Sequence, residues 1–251
     1  GHIGTDALVN APADGYTLML ATISHNAAYT MYSNLTYDPA KQIKPVIILA
    51  ESAGALIVHP SLPVKSVPEF IALAKAKPGA LAYGSAGHGS ALHMAAELFM
   101  FMSGTKLTHV PYRGSAPAMT DLIGGQTQLM FENIATGLPY IKAKRIRALG
   151  VTSLKRMPSL PDVPPISESG VPGYEAAPWY TISVASGVPN DIVRKLNADL
   201  EKVLRMPEVL TRWNELGVTV VGGSTEAAVK KNQMEAERWT KVIKAAGIRA
   251  E

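Results

Sequence analysis

The sequence contains no cysteine among its 251 residues. This absence excludes a disulfide-bonded scaffold, a thiolate metal centre and a cysteine nucleophile. It suits an oxidising compartment, where a free thiol is a liability. Long apolar runs are absent too, and none approaches the ~20 residues that a membrane span requires. The chain therefore has the sequence signs of neither a disulfide-rich domain nor an integral membrane protein.

A strong excess of one charge is also missing. The chain carries 24 Lys and Arg against 20 Asp and Glu, a formal net charge of +4. Its one tight basic cluster consists of Lys142, Lys144, Arg145 and Arg147. No aromatic residue is interleaved with these side chains, so we interpret them as a solvated turn and expect no nucleic-acid partner.

Strand-like and helical patterns alternate along the chain. Strands are predicted over 16–23 and 55–58, for example, and helices over 90–103 and 225–246. This alternation predicts an α/β fold with mainly parallel sheets. A proline-rich segment, 157–178, interrupts the pattern and is predicted to cross the surface as a loop.

The most informative segment is a glycine-rich loop between a predicted strand and a predicted helix. It contains Ser85, Gly87, His88, Gly89 and Ser90. Glycines let the backbone approach a ligand, and a helix N-terminus favours an anion. The spacing fits neither a Walker loop nor a dinucleotide-binding loop, which makes a carboxylate the simpler ligand. A tight turn with a capping serine explains the same residues, and the spacing leaves both interpretations open.

Two further segments place polar groups where predicted strands end. Thr22, Ser24 and Asn26 follow the first strand, and Glu132 and Asn133 follow the strand predicted over 128–131. Ligands of open α/β sheets bind at such strand ends. The alternatives are that Ser24 is an ordinary helix cap and that the Glu132–Asn133 pair faces solvent in a loop.

Catalysis finds little support in the residues. No Gly-x-Ser-x-Gly elbow surrounds Ser85 or Ser90, and the histidines show no metal-ligand spacing. We therefore assign no catalytic residue, no metal and no cofactor. The alternative is a hydrolase or transferase that uses Ser85 or Ser90 with a nearby histidine, which requires a Ser–His hydrogen bond of ~2.6–3.2 Å.

Ten short phrases occur in the order that is typical of one known family. They are 12–17 (PADGYT), 37–39 (YDP), 60–66 (PSLPVKS), 83–90 (YGSAGHGS), 109–114 (HVPYRG), 121–126 (DLIGGQ), 147–153 (RALGVTS), 160–164 (LPDVP), 172–175 (PGYE) and 245–248 (AAGI). Through these phrases, the chain resembles the Bug (TctC-like) substrate-binding proteins of tripartite tricarboxylate transporters. The resemblance runs over the whole sequence, although no single phrase is diagnostic.

The resemblance implies a periplasmic solute receptor of the two-lobed, Venus-flytrap type. Such a protein is not an enzyme: it captures a small organic carboxylate in the cleft between its lobes and delivers it to membrane permease subunits. We expect one lobe over 57–183, the other over 1–56 and 184–251, and a monomer. A sensor for a signalling partner is the alternative, because the same fold would serve it. The ligand-binding residues implied are Thr22, Ser24, Asn26, Ser85, Gly87, His88, Gly89, Ser90, Glu132 and Asn133.

Two departures from the family pattern affect these expectations. Where relatives usually have Phe-Asp-Asn, this chain has Phe131, Glu132 and Asn133, so the longer side chain either reaches further into the cleft or is pushed out of it. The first residues also match a point well inside the family pattern. We therefore expect the signal peptide and an N-terminal strand–loop–helix–strand, one wall of the cleft, to lie outside this sequence.

Overall fold

The computed structural model describes residues 2–22, 30 and 35–247. Its strands are β1 (Met19–Ala21), β2 (Ile43–Ser52), β3 (Gly54–Val58), β4 (Ala82–Ser85), β5 (Thr108–Pro111), β6 (Leu129–Asn133), β7 (Arg147–Val151), β8 (Trp179–Ala185) and β9 (Val218–Val220). Its helices are α1 (His2–Val9), α2 (Pro39–Gln42), α3 (Val67–Ala76), α4 (Ala91–Ser103), α5 (Ser115–Ile123), α6 (Ile134–Lys142), α7 (Asn190–Leu204), α8 (Pro207–Glu215) and α9 (Thr225–Ala246), with a 3-10 turn at Ile166–Glu168. None of these helices is long and apolar enough to cross a bilayer.

The chain forms two compact units. Unit 1 comprises 1–51 and 179–251, and unit 2 comprises 52–178. Both boundaries lie five residues before those expected from the sequence, at 51 instead of 56 and at 178 instead of 183. The reason is strand pairing: β3 hydrogen-bonds to β6 and β7 in unit 2, and β8 hydrogen-bonds to β1 and β2 in unit 1.

Unit 1 has a four-stranded sheet in the order β1-β8-β2-β9. Its core is apolar and includes Val46, Ile47, Val184, Val193 and Leu204. The first strand is shorter than predicted: of the residues predicted as a strand at 16–23, three pair within the described part, 16–22, and residue 23 lies outside it. Tyr16 and Leu18, which belong to the predicted strand, are exposed instead.

Unit 2 has a five-stranded sheet in the order β5-β4-β6-β3-β7. In it, β4 runs parallel to β5 and β6, whereas β3 is antiparallel to both neighbours. Likewise, β8 is antiparallel to β1 and β2, so the expectation of mainly parallel sheets is wrong. The alternation of strands and helices does not determine which strands become neighbours, and β3 pairs with β6 and β7, which are far from it in sequence.

The parallel pair β4 and β6 determines where polar groups collect in unit 2. Because the strands are parallel and adjacent, Ser85 at the end of β4 and Asn133 at the end of β6 lie at one edge of the sheet. Helix α4 starts a few residues after Ser85, and α6 starts directly after Asn133. The N-termini of both helices therefore lie at that same edge.

Candidate functional site

The glycine loop, residues 86–90, connects β4 to α4. Gly87 has a φ of +111° and Gly89 a φ of +71°, which L-residues with side chains rarely adopt. A Cβ atom on Gly87 would lie 3.1 Å from the Tyr112 carbonyl oxygen. The loop conformation therefore requires glycine at position 87 for its backbone angles and for its space.

Ser85 holds this loop from inside. Its side chain is fully buried, and its hydroxyl oxygen accepts a hydrogen bond from the Gly87 N–H at 3.1 Å. The same hydroxyl lies 3.2 Å from the Gly87 carbonyl oxygen and 2.6 Å from Nε2 of His109. All of its hydrogen-bonding capacity is used within unit 2, as expected for a residue that positions the loop.

Ser90 is the N-cap of α4. Its hydroxyl accepts a hydrogen bond from the His93 N–H at 3.3 Å, so the capping interpretation is confirmed. A single cap does not satisfy every free amide of a first helical turn. The amides of Ala91 and Leu92, which follow the cap, have no acceptor within the helix. Capping and anion binding are therefore compatible at this helix end.

Three histidines meet at the loop: His88 belongs to the loop, His93 to α4 and His109 to β5. Each of His88, His93 and His109 offers a ring nitrogen, and these atoms lie within 4.8 Å of one another. The His93 and His109 rings stack at 4.2 Å with 17° between their planes, and Tyr83 stacks on His109 at 4.8 Å. Burial, with a smaller effect of the neighbouring imidazoles, lowers the pKa of His93 to about 3 and that of His109 to about 4. Both rings are thus neutral at pH 7.

This arrangement of the histidines is unsuited to a metal ion as it stands. A metal lies near each imidazole plane, about 2.0–2.1 Å from the nitrogen, but the lone pairs of two nearly parallel stacked rings do not converge. Both ring nitrogens of His93 also have neighbours within the protein. Its Nδ1 accepts from the Gly89 N–H at 3.1 Å, and its Nε2 lies 3.5 Å from Glu97. The cluster supports the loop by packing and hydrogen bonding.

The distance between Ser85 and His109 meets the geometric requirement that we set for a serine hydrolase. The surroundings do not support that chemistry. The Ser85 side chain has no exposed surface, and a nucleophile must reach its substrate. Within the described residues, no carboxylate hydrogen-bonds to His109 to orient it. The bond is better explained as structural.

Glu132 and Asn133 are placed differently from the solvent-facing loop considered above. Glu132 lies within β6 and is 2% exposed. Its Oε1 accepts hydrogen bonds from the Asn133 N–H and the Thr136 hydroxyl, each at 2.7 Å. Among the described residues, its Oε2 has no partner, and neither has Oδ1 of Asn133. Burial raises the pKa of the Glu132 carboxyl, and its two hydrogen bonds oppose the change.

These unpartnered acceptors line a small pocket at the start of α4. It offers about 10 Å³ of free space, roughly that of one water molecule. Its lining residues all belong to unit 2 and are Gly54, Ala91, Leu92, Ala95, Phe131, Glu132, Asn133, Thr152, Ala176 and Pro178. Sequence reasoning identified Glu132 and Asn133 but missed Gly54 and Thr152, which carry no ligand-binding motif. The pocket lining does not include Ser85 at the end of β4, nor the candidates of the neighbouring loop, Gly87, His88, Gly89 and Ser90.

The remaining candidates lie on the first segment of unit 1. Thr22 directly follows β1 and is half-buried. Ser24 and Asn26 lie outside the described residues. The role of all three in ligand binding stays a prediction.

A comparison with known families decides the class of this protein. Residues 1–248 match the model described as the tripartite tricarboxylate transporter family receptor. The chain belongs to this family. Among curated members of similar sequence, a UPF0065 protein from the tcbD-tcbE intergenic region of Pseudomonas sp. strain P51 is 35% identical over 97% of this chain and 73% of its own length. Protein BugT of Bordetella pertussis is 31% identical over 99% of this chain and 77% of its own length.

Solved structures of this receptor family show the same two-lobed α/β fold. Rpa4515 of R. palustris, solved with adipate, is 39% identical, with a TM-score of 0.92 over 99% of this chain and 84% of its own. The periplasmic binding protein BugD is 30% identical, with a TM-score of 0.91 over 100% of this chain and 84% of its own. MatC (Rpa3494) of Rhodopseudomonas palustris, solved with bound malate, is 29% identical, with a TM-score of 0.89 over 96% of this chain and 84% of its own.

Proposed function

We propose that this chain is a periplasmic solute-binding receptor that captures a small organic carboxylate and presents it to the membrane permease subunits of a tripartite transporter. The observation that carries the proposal is the pocket at the N-terminus of α4, where the first residues of the helix meet two side-chain acceptors that have no partner among the described residues. Two solved relatives that hold adipate and malate support the ligand class.

The start of α4 suits one carboxylate group of such a ligand. The first amides of a helix carry partial positive charge and lack intrahelical acceptors. Ala91 and Leu92 line the pocket at this point, and the Ser90 hydroxyl caps the helix directly before them. Carboxylates at helix N-termini need no cationic side chain, and no Lys, Arg or His of the described part of the chain lines the pocket.

We infer that the protein binds its ligand without chemical change. The family is one of receptors, and the serine that contacts a histidine is buried and serves the loop. The function requires no cofactor. We expect the protein to work in the periplasm, because a permease must reach the loaded receptor. We also expect it to be a monomer.

Thermal unfolding with a panel of carboxylates tests the proposal. The panel comprises acetate, benzoate, citrate and unbranched C4–C8 dicarboxylates, each in unsubstituted, hydroxylated and aminated form where available. A ligand present at 100 times its dissociation constant stabilises the native state by about 2.7 kcal/mol. Isothermal titration calorimetry of each stabilising acid then gives its affinity. Uncharged amides of the same acids serve as controls and should be inert. If no acid in the panel stabilises the protein, the proposal is wrong.

A further inference from the structure

We propose that Glu132 makes this receptor selective for carboxylic acids that also carry a hydrogen-bond donor, a hydroxyl or an ammonium group. This inference rests on the function proposed above, because it assigns a specificity to the same pocket. It concerns a part of the ligand that the free N–H groups of α4 cannot bind, since an N–H group donates a hydrogen bond and does not accept one.

The two oxygens of the Glu132 carboxyl are in opposite situations. Oε1 accepts two short hydrogen bonds, from the Asn133 N–H and the Thr136 hydroxyl. These bonds fix the side chain in one orientation. Oε2 is buried and has no partner among the described residues. A buried acceptor without a donor is costly, more so when it is charged, so this oxygen requires a donor from outside the protein.

Among the described residues, no donor that lines the pocket lies within hydrogen-bond distance of Oε2. The other lining side chains are apolar except for Asn133 and Thr152. Oδ1 of Asn133 is itself an unpartnered acceptor, and the Thr152 hydroxyl accepts a hydrogen bond from the Gly54 N–H at 2.9 Å. Glu132 also takes part in no ion pair described for unit 2. Two acceptors therefore share one pocket with no cation beside them.

A ligand donor fits this environment better than a second carboxylate does. The amides at the start of α4 attract an anionic group, whereas the carboxyl oxygen of Glu132 and the amide oxygen of Asn133 repel one. A single acid that carries a hydroxyl or ammonium group near its carboxylate satisfies both sides of the pocket. The free space holds about one water, and we infer that the ligand donor takes the place of that water.

The test is a calorimetric comparison of matched ligands. One series is succinate, malate and aspartate, and the other is adipate, 2-hydroxyadipate and 2-aminoadipate. In the wild-type protein we expect the hydroxy or amino acid of at least one series to bind about tenfold or more tightly than its unsubstituted partner. The comparison of malate with aspartate, and of the two adipate derivatives, distinguishes a hydroxyl from an ammonium donor.

Two variants assign the preference to the carboxyl group. Glu132→Gln replaces a carboxylate oxygen by an NH₂ donor of nearly the same size, and we expect the preference to fall to less than threefold. Glu97→Gln is the control, because Glu97 is a second largely buried carboxyl of unit 2 that contacts Tyr83 and does not line the pocket. It should leave the ratio of dissociation constants unchanged.

The outcomes separate the two proposals. If no acid binds the wild-type protein, the receptor function fails and this inference fails with it. If acids bind but the unsubstituted ones bind as well as the substituted ones, the receptor function stands and the inference is overturned without any variant. It is overturned equally if Glu132→Gln folds and keeps the wild-type preference, which would mean that water alone satisfies Oε2.

Discussion

The hydroxyl of Ser85 lies 2.6 Å from Nε2 of His109 and, through Gly87, fixes the loop that precedes α4. Ser85 is the last residue of β4, and His109 lies in the neighbouring strand β5. The hydrogen bond therefore ties the glycine loop to two strands of the sheet. The distance is that of a catalytic Ser–His pair, but Ser85 is buried, so the hydrogen bond is structural.

We predict that Ser85→Ala destabilises the protein by about 1–3 kcal/mol, because it leaves a buried N–H and an imidazole nitrogen without a partner. The chain offers a matched control: Ser61 lies 2.7 Å from Nδ1 of His59 in an exposed position. Ser61→Ala should change the free energy of unfolding by no more than about 0.5 kcal/mol. Urea denaturation measures both. Equal effects of the two substitutions would contradict the structural role of Ser85.

Gly87→Ala should destabilise the protein for two reasons that a second variant separates. Its φ of +111° costs about 1–3 kcal/mol for a residue with a side chain, and the new Cβ would approach the Tyr112 carbonyl. Gly114 has a similar φ of +116° but nothing within 4 Å of an added Cβ. Gly114→Ala should therefore be the milder change in urea denaturation. If Gly87→Ala lowers the free energy of unfolding no more than Gly114→Ala does, the loop relaxes around position 87 and the prediction is wrong.

The histidine cluster predicts a loss of stability in acid. The pKa of His93 is about 3 in the native state and about 6.5 in the unfolded chain. The unfolded state consequently binds more protons, and stability falls as the pH drops from about 6.5 towards 3. By linkage, His93 alone lowers the free energy of unfolding by about 1.4 kcal/mol between pH 7.5 and 5.5.

The groups that face His93 modify this pH dependence without reversing its sign. Protonation of His88 or His109 adds repulsion. Glu97, 3.5 Å away, offers little compensation because burial raises the pKa of its own carboxyl. Denaturant unfolding from pH 7.5 to 4.5 provides the measurement, with His93→Gln as the control. A wild-type curve that parallels the curve of the variant would refute the prediction.

Much of the fold follows from local sequence pattern. The exceptions are a helix without charged residues at its ends and a strand whose partners are far away in sequence. Helix α4, its Ser90 cap and the long α9 agree with prediction because apolar periodicity and caps specify them. Helix α1 was missed, since it has neither acidic residues in its first turn nor basic ones in its last. The orientation of β3 was missed because its partners β6 and β7 are far from it in sequence, and the local alternation of strands and helices does not report which strands pair.

The candidate site was predicted in part. The glycine loop is visible as a motif, whereas His93 and His109 come from a helix and the following strand, so only the folded sheet brings them together. Glu132 was expected just beyond a strand. Its backbone instead pairs with Ala55 of β3, which extends β6 and buries the side chain. Cross-strand pairing of this kind involves residues far apart in sequence, and no local pattern reports it.

Two serine caps with hydrogen bonds of equal length allow the binding role of α4 to be measured. Ser90 accepts from the His93 N–H at 3.3 Å, and Ser66 accepts from the Glu69 N–H at 3.3 Å at the start of α3. We expect Ser90→Ala and Ser66→Ala each to lower the free energy of unfolding by about 1 kcal/mol. Only Ser90→Ala should weaken carboxylate binding, by about fivefold to tenfold, because α4 begins at the pocket and α3 contributes no residue to its lining. Calorimetric titration with an acid that binds the wild type distinguishes the two serines. Equal affinities for the two variants would show that the Ser90 hydroxyl caps its helix and contributes nothing to the ligand.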